Sequence, residues 1–135
     1  MKRIYGLVTV AVLGLLLAAC QTEPIYQAQH PITQAGNLQV SEQKVEKGIL
    51  AALGQEGEKW TVESTQPSKI MARWRRHGTR WALVAITYNS RSFNITLDSS
   101  ANLYQENGVI HPSYNEAVRA LETAIDHNVQ LILKP

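Results

Sequence analysis

Residues 4–17 are almost continuously apolar behind Lys2 and Arg3, the pattern of a secretory signal, and the run is shorter than the ~20 residues a helix needs to cross a bilayer core. Residues 21–40 are rich in Gln, Thr and Pro and hold no sustained period, which predicts a flexible tether. Periodicity then begins. Val45, Ile49, Ala52 and Leu53 recur at helical spacing behind Ser41, an N-cap residue type, with Val40 placed to staple onto Val45 and Gly54 placed to end the element. This predicts a helix over residues 42–53. Four strands are predicted next, at 59–64, 68–75, 80–88 and 92–98, with connections containing Pro67, Gly78 and Asn89-Ser90-Arg91. The capping box Ser113-Tyr114-Asn115-Glu116 and the stripe Tyr114, Val118, Leu121, Ile125 and Asn128 predict a last helix running to about His127.

Phe93, Ile95 and Leu97 alternate with Asn94, Thr96 and Asp98, so one face of that strand is wet. A turn about Ser90-Arg91 pairs Tyr88 with Phe93, Ile86 with Ile95 and Val84 with Leu97. A three-residue loop, His77-Gly78-Thr79, brings Ile70, Ala72 and Trp74 to the same side, whereas a two-residue loop would put them on the other. The fold class that follows is α+β: residues 41–135 form one domain in the order α-β-β-β-β-α, a four-stranded antiparallel meander with both helices on one face. Met71, Arg73, Arg75, Trp81, Leu83, Ala85 and Thr87 then point to the opposite, uncovered face.

The chain's single cysteine ends the apolar segment. Leu17-Ala18-Ala19-Cys20 resembles the lipobox of bacterial lipoprotein precursors, which implies removal of a signal peptide at residues 1–19, a thioether from Cys20 to a diacylglyceryl group, and acylation (palmitate) of the new N-terminus. Two or three acyl chains, at about 0.8 kcal/mol per buried CH₂, hold a protein stably where one would not. Gln21 stands where enterobacterial lipoproteins retained at the inner membrane carry aspartate, so the resemblance implies the outer membrane; the periplasm-facing side is the expected orientation, with surface exposure as its alternative. The alternatives are a single-span anchor, for which the run is short, and a buried thiol, for which no second cysteine offers a partner.

Without residues 1–19 the chain carries eleven basic and eleven acidic groups, which argues against a general nucleic-acid binder. The charges are segregated: residues 64–97 hold Lys69, Arg73, Arg75, Arg76, Arg80 and Arg91 and no acid. His30, His77, His111 and His127 lack the spacing of a helical zinc site, so neither metal nor cofactor is expected. Ser99 and Ser100 with Asp98 and His111 contain the residue types of a hydrolytic triad, but no nucleophile elbow surrounds them, and no catalytic residue is assigned. The candidate binding residues are Arg73, Arg75, Arg80 and Trp81 at the margin of the outer sheet face, with His111 as a further one. Beyond the membrane itself, reached through the lipid anchor, the partners they fit are an envelope protein, peptidoglycan, or anionic lipid or lipopolysaccharide. Self-association through the same face and a small periplasmic hydrolase are the competing readings.

Trp60, Ala82-x-Val84-x-Ile86-x-Tyr88, Ser92-Phe93-Asn94-Ile95, Asp98-Ser99 with Asn102-Leu103, and Ile110-His111 with Tyr114-Asn115 form a pattern that resembles a family of small proteobacterial lipoproteins. The resemblance covers most of the domain and departs at Ala117, where a tryptophan is expected. It implies the α+β fold and an envelope location, and it carries over no catalytic residue.

Overall fold

The computed structural model describes residues 21–34 and 40–134; the expected signal segment and Cys20 lie outside them. The fold is α+β, with two helices on a five-stranded antiparallel sheet. In chain order the elements are β1 (Glu23–Pro24), β2 (Ala28–Pro31), α1 (Glu42–Gln55), β3 (Trp60–Gln66), β4 (Lys69–Arg75), β5 (Trp81–Tyr88), β6 (Ser92–Ala101), β7 (Val109–Ile110) and α2 (Pro112–Leu133). The main sheet has the order β2-β6-β5-β4-β3, and β1 pairs separately with β7.

The central hairpins take the register that the alternation predicts. Ile70 pairs with Ile86, Ala72 with Val84 and Trp74 with Ala82, and across the next turn Tyr88 pairs with Phe93 and Ile86 with Ile95. The β4–β5 connection closes with Arg76 N–H donating to Arg80 C=O at 3.0 Å, leaving His77-Gly78-Thr79 as the loop. Gly78 occupies it at φ 73°, where a Cβ would be strained. Ile70, Ala72, Trp74, Val84, Ile86, Tyr88, Phe93 and Ile95, all assigned to the core face, are buried; Leu97 is partly buried against the core. Next to Leu97 the pairing slips: Val84 faces Leu97 but Leu83 faces Ser99, so Asp98 is the extra residue of a β-bulge.

Both helices cover the face that these residues form. Ser41 caps α1 by accepting from Lys44 N–H at 3.2 Å. The helix continues through Gly54 to Gln55, because Glu56 N–H still reaches Ala52 C=O at 3.2 Å. A Cβ on Gly48 would lie 2.4 Å from Val129 Cγ2 and 2.9 Å from Val129 Cα, so glycine there sets how closely α1 and α2 approach. That contact explains the length of α2, whose stripe continues beyond His127 through Asn128, Val129 and Leu133. The start of α2 also differs from the capping-box expectation. Pro112 occupies the first turn, where its missing N–H is no loss, and His111 is the N-cap, its Nδ1 accepting from Ser113 N–H at 3.1 Å.

The largest departure lies in the segment expected to be a tether. The fifth strand comes from it. Ala28 pairs with Ile95 and Pro31 with Ser92, adding β2 to the open edge of β6, while Ala28 and Ile32 are buried in the core. The side chains of α2 bind this strap along its length. Asn115, itself buried, accepts from Tyr26 N–H at 2.9 Å and donates to Pro24 C=O and Glu23 Oε1, each at 2.8 Å. Tyr26 donates its hydroxyl to Glu122 Oε1 at 2.6 Å, which, with burial behind it, raises that phenol above its ordinary range. His30 stacks on Phe93 and reaches Glu122 and Asp126 through its two ring nitrogens at 2.8 and 3.2 Å. A flexible tether would leave these polar groups of α2 without partners.

Asn115→Ala strips partners from the Tyr26 amide and the Pro24 carbonyl, at about 1–3 kcal/mol for a group left unsatisfied. Amide exchange over residues 25–31 should accelerate by roughly 30-fold, while amides of β5 keep their protection. Equal acceleration throughout would mean that the strap and the core open as one unit.

Candidate functional site

The second face of the sheet carries no layer of described residues. Met71, Arg73, Trp81, Leu83, Ala85 and Thr87 all lie on it, and all are half-buried, shielded by one another rather than by a covering element. Its centre is apolar and in register: Met71 pairs with Ala85, and Arg73 with Leu83.

At the margin, Arg73 is not free. Its guanidinium lies 4.3 Å over the Trp81 ring, and its Nε donates to the Glu63 carboxylate. Glu63 reaches it because β3 bulges at that residue, where the partner of Val62 is Ala72 and that of Ser64 is Met71. The sequence reading missed this acid. Residues 64–97 contain none, and the bulge that turns Glu63 toward Arg73 depends on the pairing of two strands. The hydrogen bond from Arg73 holds the Glu63 carboxyl below its ordinary range.

Of the other candidates, Arg75 and Arg80 flank one hairpin loop and His111 stands on a different element. Arg75 pairs with Trp81 in the sheet and is exposed, and Arg80 is half-buried at the base of the hairpin loop. His111 is at the N-terminus of α2, where its Nδ1 also lies 2.7 Å from Ser113 Oγ. Ser99 donates to Asp98 Oδ2 at 3.2 Å and Ser100 to Gln105 Oε1 at 2.6 Å, so neither hydroxyl is bonded to His111.

A separate groove of about 560 Å³ opens between the N-terminal half of α2 and the β4–β5 hairpin, with Trp60, Trp74, Ala117 and Ala120 among its lining residues. Glu56, Glu58 and Glu116 share it with Lys59, Arg75 and Arg76, so the groove itself is lined by both signs. Among the described residues no His, Cys, Asp or Glu cluster has the arrangement of a metal site. In the one close His–carboxylate group, Glu122 and Asp126 approach opposite nitrogens of His30 and so do not converge on one point. No helix among the described residues is long and apolar enough to cross a membrane. Comparison with protein-family models, curated proteins and solved structures gives no match.

Because the Glu63 carboxyl titrates below its ordinary range, its pair with Arg73 is formed from neutral pH down through the ordinary carboxylate range. Its stabilising contribution is fully present above the ordinary carboxylate range and is lost progressively as pH falls from there through the depressed value. Acid titration of the fluorescence that Trp81→Phe abolishes should show a transition below the ordinary carboxylate range, and Glu63→Gln should remove it. An unchanged transition in Glu63→Gln would separate the ring from this pair.

Proposed function

We propose that the chain is a lipid-anchored protein of the bacterial cell envelope, held by acyl chains on Cys20, and that it is a non-catalytic binding module whose outer sheet face takes up a protein partner. The observation that carries the binding half is the uncovered face itself: a half-buried apolar centre of Met71, Leu83 and Ala85 beside the Trp81 ring. Contiguous apolar surface of this kind marks interaction sites, and a tryptophan clamped under an arginine suits an anchor residue of an interface. The ion pair of Arg73 with Glu63 favours a protein surface over an anionic glycan or phosphate, because the guanidinium is already neutralised. Arg75 and Arg80 lie at the hairpin end of this face, outside its apolar centre. The envelope half rests on Leu17-Ala18-Ala19-Cys20 and the apolar run before it. Gln21, in place of the aspartate of inner-membrane retention, supports the outer membrane as the destination.

Two measurements address the two halves. A photoreactive residue at Ala85 in the full-length protein in cells should yield a discrete adduct that Leu83→Glu abolishes, whereas the same residue at Thr123, exposed on α2, should yield none. Matching adducts from both positions would contradict the face, and an adduct of twice the chain's mass would make the partner a second copy. Radiolabelled palmitate should be incorporated, and Cys20→Ser should abolish incorporation. Labelling that persists in the variant, or none in the parent chain, would remove the anchor.

A further inference from the structure

The strap changes where the domain sits if Cys20 is anchored. A flexible tether over residues 21–40 would let the domain stand tens of ångströms from the bilayer at about 3.3 Å per residue. Residues 23–31 are instead paired into the fold, and only Gln21 and Thr22 separate Cys20 from β1. Extended, the chain from Cys20 to Glu23 reaches about 11 Å. The end of the domain from which the chain departs is therefore brought to the level of the lipid headgroups.

The pairing identifies that end. Glu23 faces Ile110 and Pro24 faces Val109 in antiparallel register, so residues before Glu23 continue past Ile110 toward His111 and the start of α2. His111 N–H donates to Leu103 C=O at 2.8 Å, and Asn102 donates to Thr79 C=O at 3.0 Å and to Thr79 Oγ1 at 2.9 Å. These contacts tie the chain's exit to the β4–β5 hairpin. The same end of the sheet thus presents two groups suited to a membrane interface. One is Tyr104, 62% exposed at φ 55°, its ring centroid 6.3 Å from that of His111. The other is the hairpin Arg75-Arg76-His77-Gly78-Thr79-Arg80, whose three arginines form no ion pair among the described residues, although Glu56 and Glu58 line the groove beside it. Aromatic side chains with a polar tip favour the headgroup level, and arginines favour anionic headgroups.

We infer that this end of the domain docks on the bilayer surface, with Tyr104 at the interface and the Arg75–Arg80 hairpin against anionic lipid headgroups. Docking leaves the outer sheet face standing upright from the membrane, open sideways to a partner. This inference rests on the anchor proposed above, and the test separates the two.

The full-length lipidated protein is reconstituted in phosphatidylethanolamine–phosphatidylglycerol vesicles containing headgroup-nitroxide lipid. A fluorophore is placed through His77→Cys in the hairpin or Gln66→Cys at the opposite end of the sheet, about 25 Å away along the strands. Flotation reads the anchor, and quenching reads the docking. The His77 fluorophore should be quenched and the Gln66 fluorophore should not. Arg75→Gln and Arg76→Gln together should lower the docked fraction by about fivefold for each arginine replaced, with flotation unchanged. Raised salt should act in the same direction. Equal quenching at both positions in a protein that floats would overturn the docking and leave the anchor standing. Quenching at His77 that ignores both the arginines and salt would overturn the role of the hairpin. A protein that fails to float would overturn the anchor and the docking with it.

Discussion

One parity relation governs this domain: in β4 and β5 the even-numbered side chains, and in the first half of β6 the odd-numbered ones, all face the helices. Side chains of a strand alternate, so a slip of one residue in either hairpin would exchange the faces of a whole strand. Ile70, Val84, Ile86 and Ile95 would move to the open side, and Arg73 and Trp81 would be driven under the helices. The loop His77-Gly78-Thr79, with Gly78 at positive φ, fixes one hairpin. Asn89 fixes the other, its Oδ1 accepting from Arg91 N–H at 2.7 Å and Ser92 N–H at 2.9 Å. The open face is as much a product of these turns as the core is.

The strap solves a second constraint on the same sheet. Without β2, β6 would present an unpaired edge, which is a hazard for strand-to-strand association. The chain's own N-terminal segment pairs the first part of that edge, Ser92 to Ile95, and also fixes the point from which the chain leaves the domain. Tyr26, His30 and Asn115 hold the segment against α2, so edge protection and the position of the exit come from one set of contacts. The domain then has a defined orientation about its N-terminus, which a tether would not provide.

How much of this was legible follows from which forces are local. The helix over α1, the hairpin registers and the buried stripe of α2 are encoded by period and by turn residues, and they could be read from one sequence. The strap could not. Ala28-Gln29-His30-Pro31 is short, polar and ends in proline, and it becomes a strand only because β6 offers a free edge and α2 offers Glu122 and Asp126. The bulges at Glu63 and Asp98 are likewise products of pairing, so the Glu63–Arg73 contact was out of reach although both residues were in view. The capping box misplaced the helix start by two residues because Pro112 and His111 provide a competing N-terminus. Arg73, Arg75 and Trp81 were placed correctly on the outer face by parity alone, while the neutralisation of Arg73 required the third dimension.

Cross-strand backbone NOEs test both constraints in one experiment. The structure requires proximities between Ala72 and Val84, between Ile86 and Ile95, and between Ala28 and Ile95, so that Ile95 has a strand on each side. Observation of all three sets would establish the two faces and the strap together. Contacts offset by one residue in either hairpin, or a segment 28–31 with no contact to β6, would contradict the account.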